Sequence, residues 1–358
     1  MQTDVLAWPK EKNAHANPFQ KLLYSAVEKN HRFSVIEFTI LEIFKGSDQR
    51  LLHIHWPDVY LANAKGARFW VKLGLLRCLF IIAGMRNIPV VWTAHNLKRA
   101  GQKNQAKMER WFWPWFADRI DAVIYMTTVS KAEAEQAFPN WKTIKSAVIP
   151  HGHYRPIIDA LAAESTARPA PASDILFFGS ITRYKNAYQV LDAFLSMPSE
   201  GTRLAIRGKM SKTEPDLKLE SMLKSLSPEQ AKNVLFEDRF LDDSELVDAI
   251  SGTDLVVFPY SDVLNSGAAI FALSVGRPIL ASNNALFREL QAQVGGDWVR
   301  LIDAELDAPQ LAAALTHAQG LKASGQRPDL SAFDWDVIAD KTTAFYTSLL
   351  APSKEHRP

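Results

Sequence analysis

Short apolar runs of three to five residues alternate along the chain with longer segments whose apolar positions recur every three or four residues. In the first half this pattern predicts strands over 4–7, 33–37, 51–55, 90–94, 122–126 and 147–149, with helices over 19–29, 64–85 and 105–116 between them. In the second half it predicts strands over 174–178, 203–207, 234–237, 255–258 and 278–281, with helices over 187–195, 244–250 and 268–275 among those that follow them. Strand–helix alternation of this kind builds parallel sheets covered by helices on both faces. A stretch rich in Ala, Pro and Ser reads as a linker over 156–173. The expected architecture is therefore α/β: two doubly wound, Rossmann-like domains, 1–155 and 174–335, facing a central cleft. A last segment, 336–358, is expected to pack back toward the first domain.

Composition narrows the class. Of 358 residues, 47% are hydrophobic and 22% charged, which suits a globular chain and excludes a disordered one. One cysteine, Cys78, excludes an intrachain disulfide framework and a cysteine-based zinc cluster, and fits a reducing compartment. The longest apolar run, 74–85, is interrupted by Arg77 and is about half the ~20 residues that a membrane-spanning helix needs. No signal-like segment opens the chain, so a cytoplasmic location is expected. The net charge of +2 hides an asymmetry. Residues 1–160 carry 22 Lys and Arg against 13 Asp and Glu, and the remainder is correspondingly acidic. The first half is thus expected to meet something anionic.

In doubly wound sheets, ligands sit beyond the carboxyl ends of the strands, so the loops there carry the chemistry. The first strand runs into Trp8-Pro9-Lys10, and Asn17 before Pro18 reads as a helix cap at a cleft edge. His53-Ile54-His55-Trp56-Pro57-Asp58 closes the third strand. Alternation puts both histidines on one face, but two histidines without a third ligand are weak grounds for zinc. Asp58 reads either as a general base or as a turn-capping carboxylate. Thr93-Ala94-His95-Asn96 ends the fourth strand, with His95 placed for a polar ligand. His151-Gly152-His153 lies where the chain passes to the second domain, and reads as cleft lining or as a rigid hinge.

In the second half, Gly179 after a buried strand leads to Arg183 and Lys185, a combination suited to a diphosphate. Tyr260 precedes Asn265-Ser266-Gly267, which opens a helix whose N-terminal N–H groups form an anion site. Glu237, Arg239 and Phe240 are candidates for reading a nucleobase.

Taken in order, Asn17-Pro18-Phe19, His53 to Asp58, Thr93 to Leu97, His151 to Arg155, Arg183-Tyr184-Lys185 and Asn265-Ser266-Gly267 through Gly276-Arg277-Pro278 make the chain resemble the GT-B superfamily of nucleotide-sugar glycosyltransferases. Within it, the motifs are similar to the bacterial exopolysaccharide (xanthan-type) β-mannosyltransferases. The resemblance implies a hexosyltransferase, with the second domain holding a nucleotide-sugar donor and the first a polyprenyl-diphosphate-linked glycan acceptor. GDP-mannose is the expected donor, with UDP-glucuronate or UDP-glucose as the alternative. Gly179, Arg183, Lys185, Asn265, Ser266 and Gly267 occupy the donor-phosphate loops. Trp8, Asn17, His55, His151 and His153 fall to the acceptor or cleft.

The glutamate pair of retaining members is missing around 263–271, which implies inversion. Ala100 departs from relatives that carry a histidine shortly after the Asn-Leu pair. Members of this fold generally need no metal, and no Asp-x-Asp motif is present, so no cofactor is expected. Inversion needs one base; Asp58 is the first candidate, His95 the second and Glu11 an outsider.

Basic residues and tryptophans interleave over 64–85 and 98–116, the pattern of a helix lying in a membrane interface. Peripheral attachment to an anionic membrane surface is therefore expected, with core packing of the 111–116 run as the alternative. Two rival classes remain: a non-catalytic nucleotide- or glycan-binding protein, and a nucleic-acid binder. The second lacks any nucleic-acid module.

Overall fold

The computed structural model describes residues 2–12, 18–45, 49–95, 97, 104–164, 173–198 and 201–350. Asn17 and Ala100 lie outside the described residues. The chain divides into two compact units. Unit 1 comprises Met1–Gly152 with Phe333–Pro358, and unit 2 is His153–Ala332.

Unit 1 holds strands β1 (Thr3–Trp8), β2 (Phe33–Glu37), β3 (Arg50–Ile54), β4 (Val90–Ala94), β5 (Ala122–Tyr125) and β6 (Lys145–Val148). They form one sheet in the order β2-β1-β3-β4-β5-β6, and every pairing is parallel. The chain winds one way from β1 to β2 and the other way from β3 onward, so the strand order reverses between β1 and β3. Helix Phe19–Glu28 buries Phe19, Leu23, Tyr24 and Val27 against the sheet. Its positions recur at three- and four-residue spacing, the apolar stripe that drives this docking. The C-terminal helix Trp335–Leu350 belongs to the same unit and adds Trp335, Ile338 and Tyr346 to its core.

Unit 2 holds β7 (Ile175–Phe178), β8 (Leu204–Arg207), β9 (Val234–Glu237), β10 (Leu255–Phe258), β11 (Ile279–Ser282) and β12 (Val299–Ile302). Their order, β12-β11-β10-β7-β8-β9, is the dinucleotide-fold order and reverses between β7 and β10. β7 and β10 are buried throughout and read as unbroken apolar runs, as strands covered on both faces must.

Four local expectations are corrected. Strand β12 was absent from the sequence reading, because Arg300 interrupts its apolar run. The single helix over 64–85 is preceded by a separate turn of helix, Pro57–Ala62, and itself begins at Ala67. The helix over 105–116 is broken by a π-helical stretch, Met108–Phe112. Pro114 has no N–H to offer the carbonyl of Arg110, which displaces the hydrogen-bond ladder there. The segment read as a linker starts as helix Arg155–Glu164, where Pro156 suits the first turn and the following alanines favour helix.

Candidate functional site

At the carboxyl edge of the unit 1 sheet, the side chains of β3 and β4 converge. The imidazoles of His53, on β3, and His55, immediately after it, are both buried, with ring centroids 4.4 Å apart. Nε2 of His53 lies 2.7 Å from Thr93 Oγ1 on β4. On its other side, Nδ1 meets the hydroxyls of Tyr24 at 3.0 Å and Tyr346 at 2.6 Å. Tyr24 also reaches Nε2 of His55 at 2.6 Å, and Nδ1 of His55 lies 2.9 Å from Nε2 of His95.

A neutral imidazole carries one donor and one acceptor nitrogen. When the Tyr24 hydroxyl donates to His55, Nδ1–H of His55 must donate to His95; reversing one bond reverses the other. Tyr24, His55 and His95 thus share one hydrogen-bond direction. Burial holds the His53 imidazole down at about 3, and burial with the neighbouring His53 and His95 holds His55 well below the usual range. Both are neutral at physiological pH.

Around this ladder the aromatic walls are fixed. Trp56 stacks on His95 at 4.3 Å. Phe19 meets His95 edge-on at 5.1 Å, His151 at 4.8 Å and Trp335 at 5.6 Å. Gly152 is required here, because a Cβ on it would lie 2.4 Å from the Trp335 ring. The His151 imidazole, which meets the Gly152 carbonyl at 2.7 Å, is pushed down to about 4 by burial, partly offset by that bond.

Trp8 ends β1 between Phe38 and Tyr60. Asp58 lies buried in the first turn of helix Pro57–Ala62, directly beyond β3. Lys10 turns away to Glu28 and the Val35 carbonyl, and the Glu11 backbone binds Glu37. His53 and His55 are committed to tyrosine, threonine and histidine partners, and among the described residues no group of three or more His, Cys, Asp and Glu is arranged to hold a metal ion. His153 begins unit 2, where Nδ1 accepts the Arg155 backbone N–H at 3.3 Å.

In unit 2 the strand order reverses between β7 and β10, and the loops after these two strands lie side by side. Gly179 follows β7 with φ +105° and passes so close to Gly208 that a Cβ on Gly208 would lie 1.8 Å from the Gly179 carbonyl oxygen. Asn186 donates to the Pro259 carbonyl at 2.9 Å and Ser261 N–H to the Tyr184 carbonyl at 2.9 Å, tying the loops after β7 and β10 together. Lys185 Nζ then lies 5.1 Å from the ring centroid of Tyr260, close to Gly179. Burial pushes its ammonium down to about 8 and pushes the Tyr260 phenol up.

Ser266 caps helix Gly267–Val275 by accepting the Ala269 N–H at 3.2 Å, with Asn265 immediately before it. No acidic residue occupies the first turn, so the positive end of this helix is left uncompensated by its own side chains. Arg183 is exposed on the same loop as Lys185.

Glu237 and Arg239, read as nucleobase contacts, are largely engaged elsewhere. Glu237 pairs with Arg207 at the end of β8, a residue the sequence reading missed, and Arg239 binds Glu245 with two contacts of 2.7 Å. Tyr24 and Tyr346 were likewise missed. Each sits among apolar residues on a helix, and nothing in the spacing reveals that its hydroxyl ends on a histidine.

Two Rossmann-like units of parallel strands, each with a strand-order reversal and with polar residues gathered at the carboxyl ends of its strands, are the architecture of the GT-B glycosyltransferases. The chain is 28% identical over 337 residues to the GDP-mannose:glycolipid 4-β-D-mannosyltransferase of Xanthomonas campestris pv. campestris, covering 93% of this chain and 89% of that protein. No protein-family model matches.

Among solved structures, sucrose-phosphate synthase of Thermosynechococcus elongatus matches with a TM-score of 0.63 at 17% identity, over 99% of this chain and 100% of that one. HepE of Anabaena in complex with UDP matches with a TM-score of 0.58 at 13% identity, over 97% and 100%. The fold is GT-B, and the chain is a glycosyltransferase.

Proposed function

We propose that the chain moves mannose from GDP-mannose onto a lipid-linked glycan with inversion, in exopolysaccharide assembly. The observation that carries this reading is the 28% identity, across nearly the whole chain, to an enzyme named for that donor, a glycolipid acceptor and a β product. The mannose of GDP-mannose is α-linked, so a β-mannoside requires inversion and one base to take the acceptor proton. In this reading unit 2 holds the donor. Lys185, Arg183 and the N-terminus of helix Gly267–Val275 offset the charge of the departing diphosphate, with no metal required. Unit 1 holds the acceptor, and Asp58, with His95 next, supplies the base.

Exposed apolar and aromatic residues of unit 1 support a lipid-linked acceptor at a membrane, which this reading takes to be an anionic surface on the cytoplasmic side. On helix Ala67–Met85 the solvent face carries Trp70, Val71, Leu75, Ile81 and Met85, all exposed. Trp70 meets the exposed Trp111 at 5.7 Å, and Arg110 lies over the Trp111 ring. From the same aromatic run, Phe112, Trp113 and Phe116 are core residues, so only part of it is available to lipid. Among the described residues, no helix is long and apolar enough to cross a membrane.

The test is transfer to glycolipid acceptors from GDP-mannose, UDP-glucose and UDP-glucuronate in turn, with the anomeric configuration of the product read by NMR. GDP-mannose is expected to give a β-linked product, with and without EDTA. The Asp58→Asn variant should retain GDP binding and lose transfer by about a hundred-fold or more. Preference for a UDP-sugar, or an α product, overturns the reading.

A further inference from the structure

Gln20 occupies the second position of helix Phe19–Glu28, and its side chain is 1% exposed. Neither its amide oxygen nor its amide nitrogen meets a hydrogen-bond partner among the described residues. Elsewhere a single atom is at issue. It is a hydroxyl in Tyr125, Thr182, Thr253 and Tyr260, and one oxygen of the Glu37 carboxylate or of the Asn265 and Gln310 amides. In Arg50, Arg77 and Arg155 it is Nε, and each of these bonds a carbonyl through a terminal nitrogen. In Gln20 a donor and an acceptor are stranded together. Burying a primary amide without partners opposes folding. The arrangement makes physical sense where a bound molecule completes it.

The position of Gln20 identifies that molecule's chemistry. Helix Phe19–Glu28 connects parallel strands β1 and β2, so its N-terminus lies at their carboxyl ends. Gln20 precedes Tyr24 by four residues and shares its face of the helix. Tyr24 touches His53, near the carboxyl end of β3, and His55 just beyond it. One helical turn beyond it, about 6 Å toward the carboxyl edge, lies the reversal point between β1 and β3, where doubly wound sheets hold ligands. Phe19, the adjacent residue, already packs against His55 and His95. A neutral amide that offers a donor and an acceptor side by side matches two neighbouring hydroxyls of a sugar ring. It is a poor match for phosphate, and the two lysines of the preceding loop, Lys10 and Lys12, lie against Glu28 and Glu37.

We propose that Gln20 is a binding residue that reads a pair of hydroxyls on the acceptor sugar. The proposal deepens the reading that unit 1 takes the acceptor and rests on it. The test compares the wild-type chain with Gln20→Met and Gln20→Leu, which fill similar space without polar atoms. Thermal unfolding is measured in the absence of ligand. Transfer from GDP-mannose is measured to a panel of octyl β-glucoside, octyl β-galactoside and octyl β-mannoside.

The expected result is a Tm raised by about 2 °C or more in at least one variant, together with kcat/KM for the accepted glycoside lowered about ten-fold or more, chiefly through KM. GDP binding should be unchanged. A Tm that falls in both variants shows that the amide is already satisfied in the free protein and overturns the proposal. An unchanged kcat/KM for the accepted glycoside does the same. A wild-type chain that binds GDP but transfers to none of the three overturns the acceptor reading, and this proposal with it.

Discussion

The hydroxyl of Tyr346, in the last helix, lies 2.6 Å from Nδ1 of His53 in β3, 293 residues earlier. Tyr24 approaches the same nitrogen at 3.0 Å and reaches His55 as well, so the two phenols are not equivalent. Tyr346→Phe leaves His53 with Tyr24, whereas Tyr24→Phe removes the hydroxyl that links two buried imidazoles. Losing one buried hydrogen bond costs about 1 kcal/mol, and stranding a second buried nitrogen adds about 1–3 kcal/mol. Urea unfolding should therefore show Tyr24→Phe to be the more destabilised. Equal midpoints for the two variants are incompatible with this geometry.

The same ladder fixes an acid dependence. The His53 imidazole titrates at about 3 in the folded chain, and His55 well below its ordinary value, both because burial opposes the charged ring. In the unfolded chain each titrates near 6.5. The unfolded state therefore binds protons first as pH falls. Stability is full above about pH 6.5 and declines below it, by about 1.4 kcal/mol per pH unit for each histidine, until the folded value is reached. Unfolding followed from pH 7.5 to 4.5 should show this slope, and a His53→Gln variant should show it reduced by about one histidine's share. A wild-type profile flat across pH 6.5–4.5 would exclude neutral burial of these rings.

How far the sequence discloses the molecule depends on whether a feature is local. Strands β2, β4, β9 and β10 have the bounds their apolar runs predict. Of these, β4 and β10, buried throughout, announce themselves by composition alone, whereas the half-buried edge strands β2 and β9 are marked out by their short apolar runs. Gly179, Lys185 and Ser266 are singled out as candidates by a local feature too: each lies in the loop that follows a strand, and strand ends in this topology point to ligands. Gly208 escaped notice because its requirement comes from Gly179, another loop altogether. Arg207, likewise, is defined by the register of β8 against β9, which sets it opposite Glu237. Tyr346 depends on a helix that returns to unit 1 from the far end of the chain. Such pairings are products of topology and leave no trace in spacing.

Gly152 offers a packing test within unit 1. A methyl group there would lie 2.4–2.7 Å from three atoms of the Trp335 ring, and a rigid indole wedged beside Phe19 and His151 has little room to yield. Gly152→Ala should destabilise the chain by about 1–3 kcal/mol, the usual cost of forced overpacking. Adding Trp335→Leu should recover part of that loss, because the smaller side chain vacates the contested space. The double-mutant cycle measures the coupling directly. Independent, additive effects of the two substitutions would show that the residues do not meet.

Lys185 supplies a test of donor binding with a sign that can be worked out in advance. In the free protein its ammonium titrates at about 8, because burial beside Tyr260 disfavours the charge. A diphosphate next to Nζ favours the protonated form and raises that value on binding. Below pH 8 the lysine is already charged in both states, and its contribution to GDP affinity is constant. Above pH 8 the free protein must take up a proton to bind, so affinity should fall by up to ten-fold per pH unit until the bound value is passed. Calorimetry at pH 8.5 in buffers of different ionisation enthalpy should register uptake of most of one proton. Lys185→Arg, charged throughout this range, should abolish both the uptake and this limb of the profile, while Lys185→Ala should weaken GDP at every pH. Proton uptake that persists in the arginine variant would assign the titration to another group and remove Lys185 from the diphosphate site.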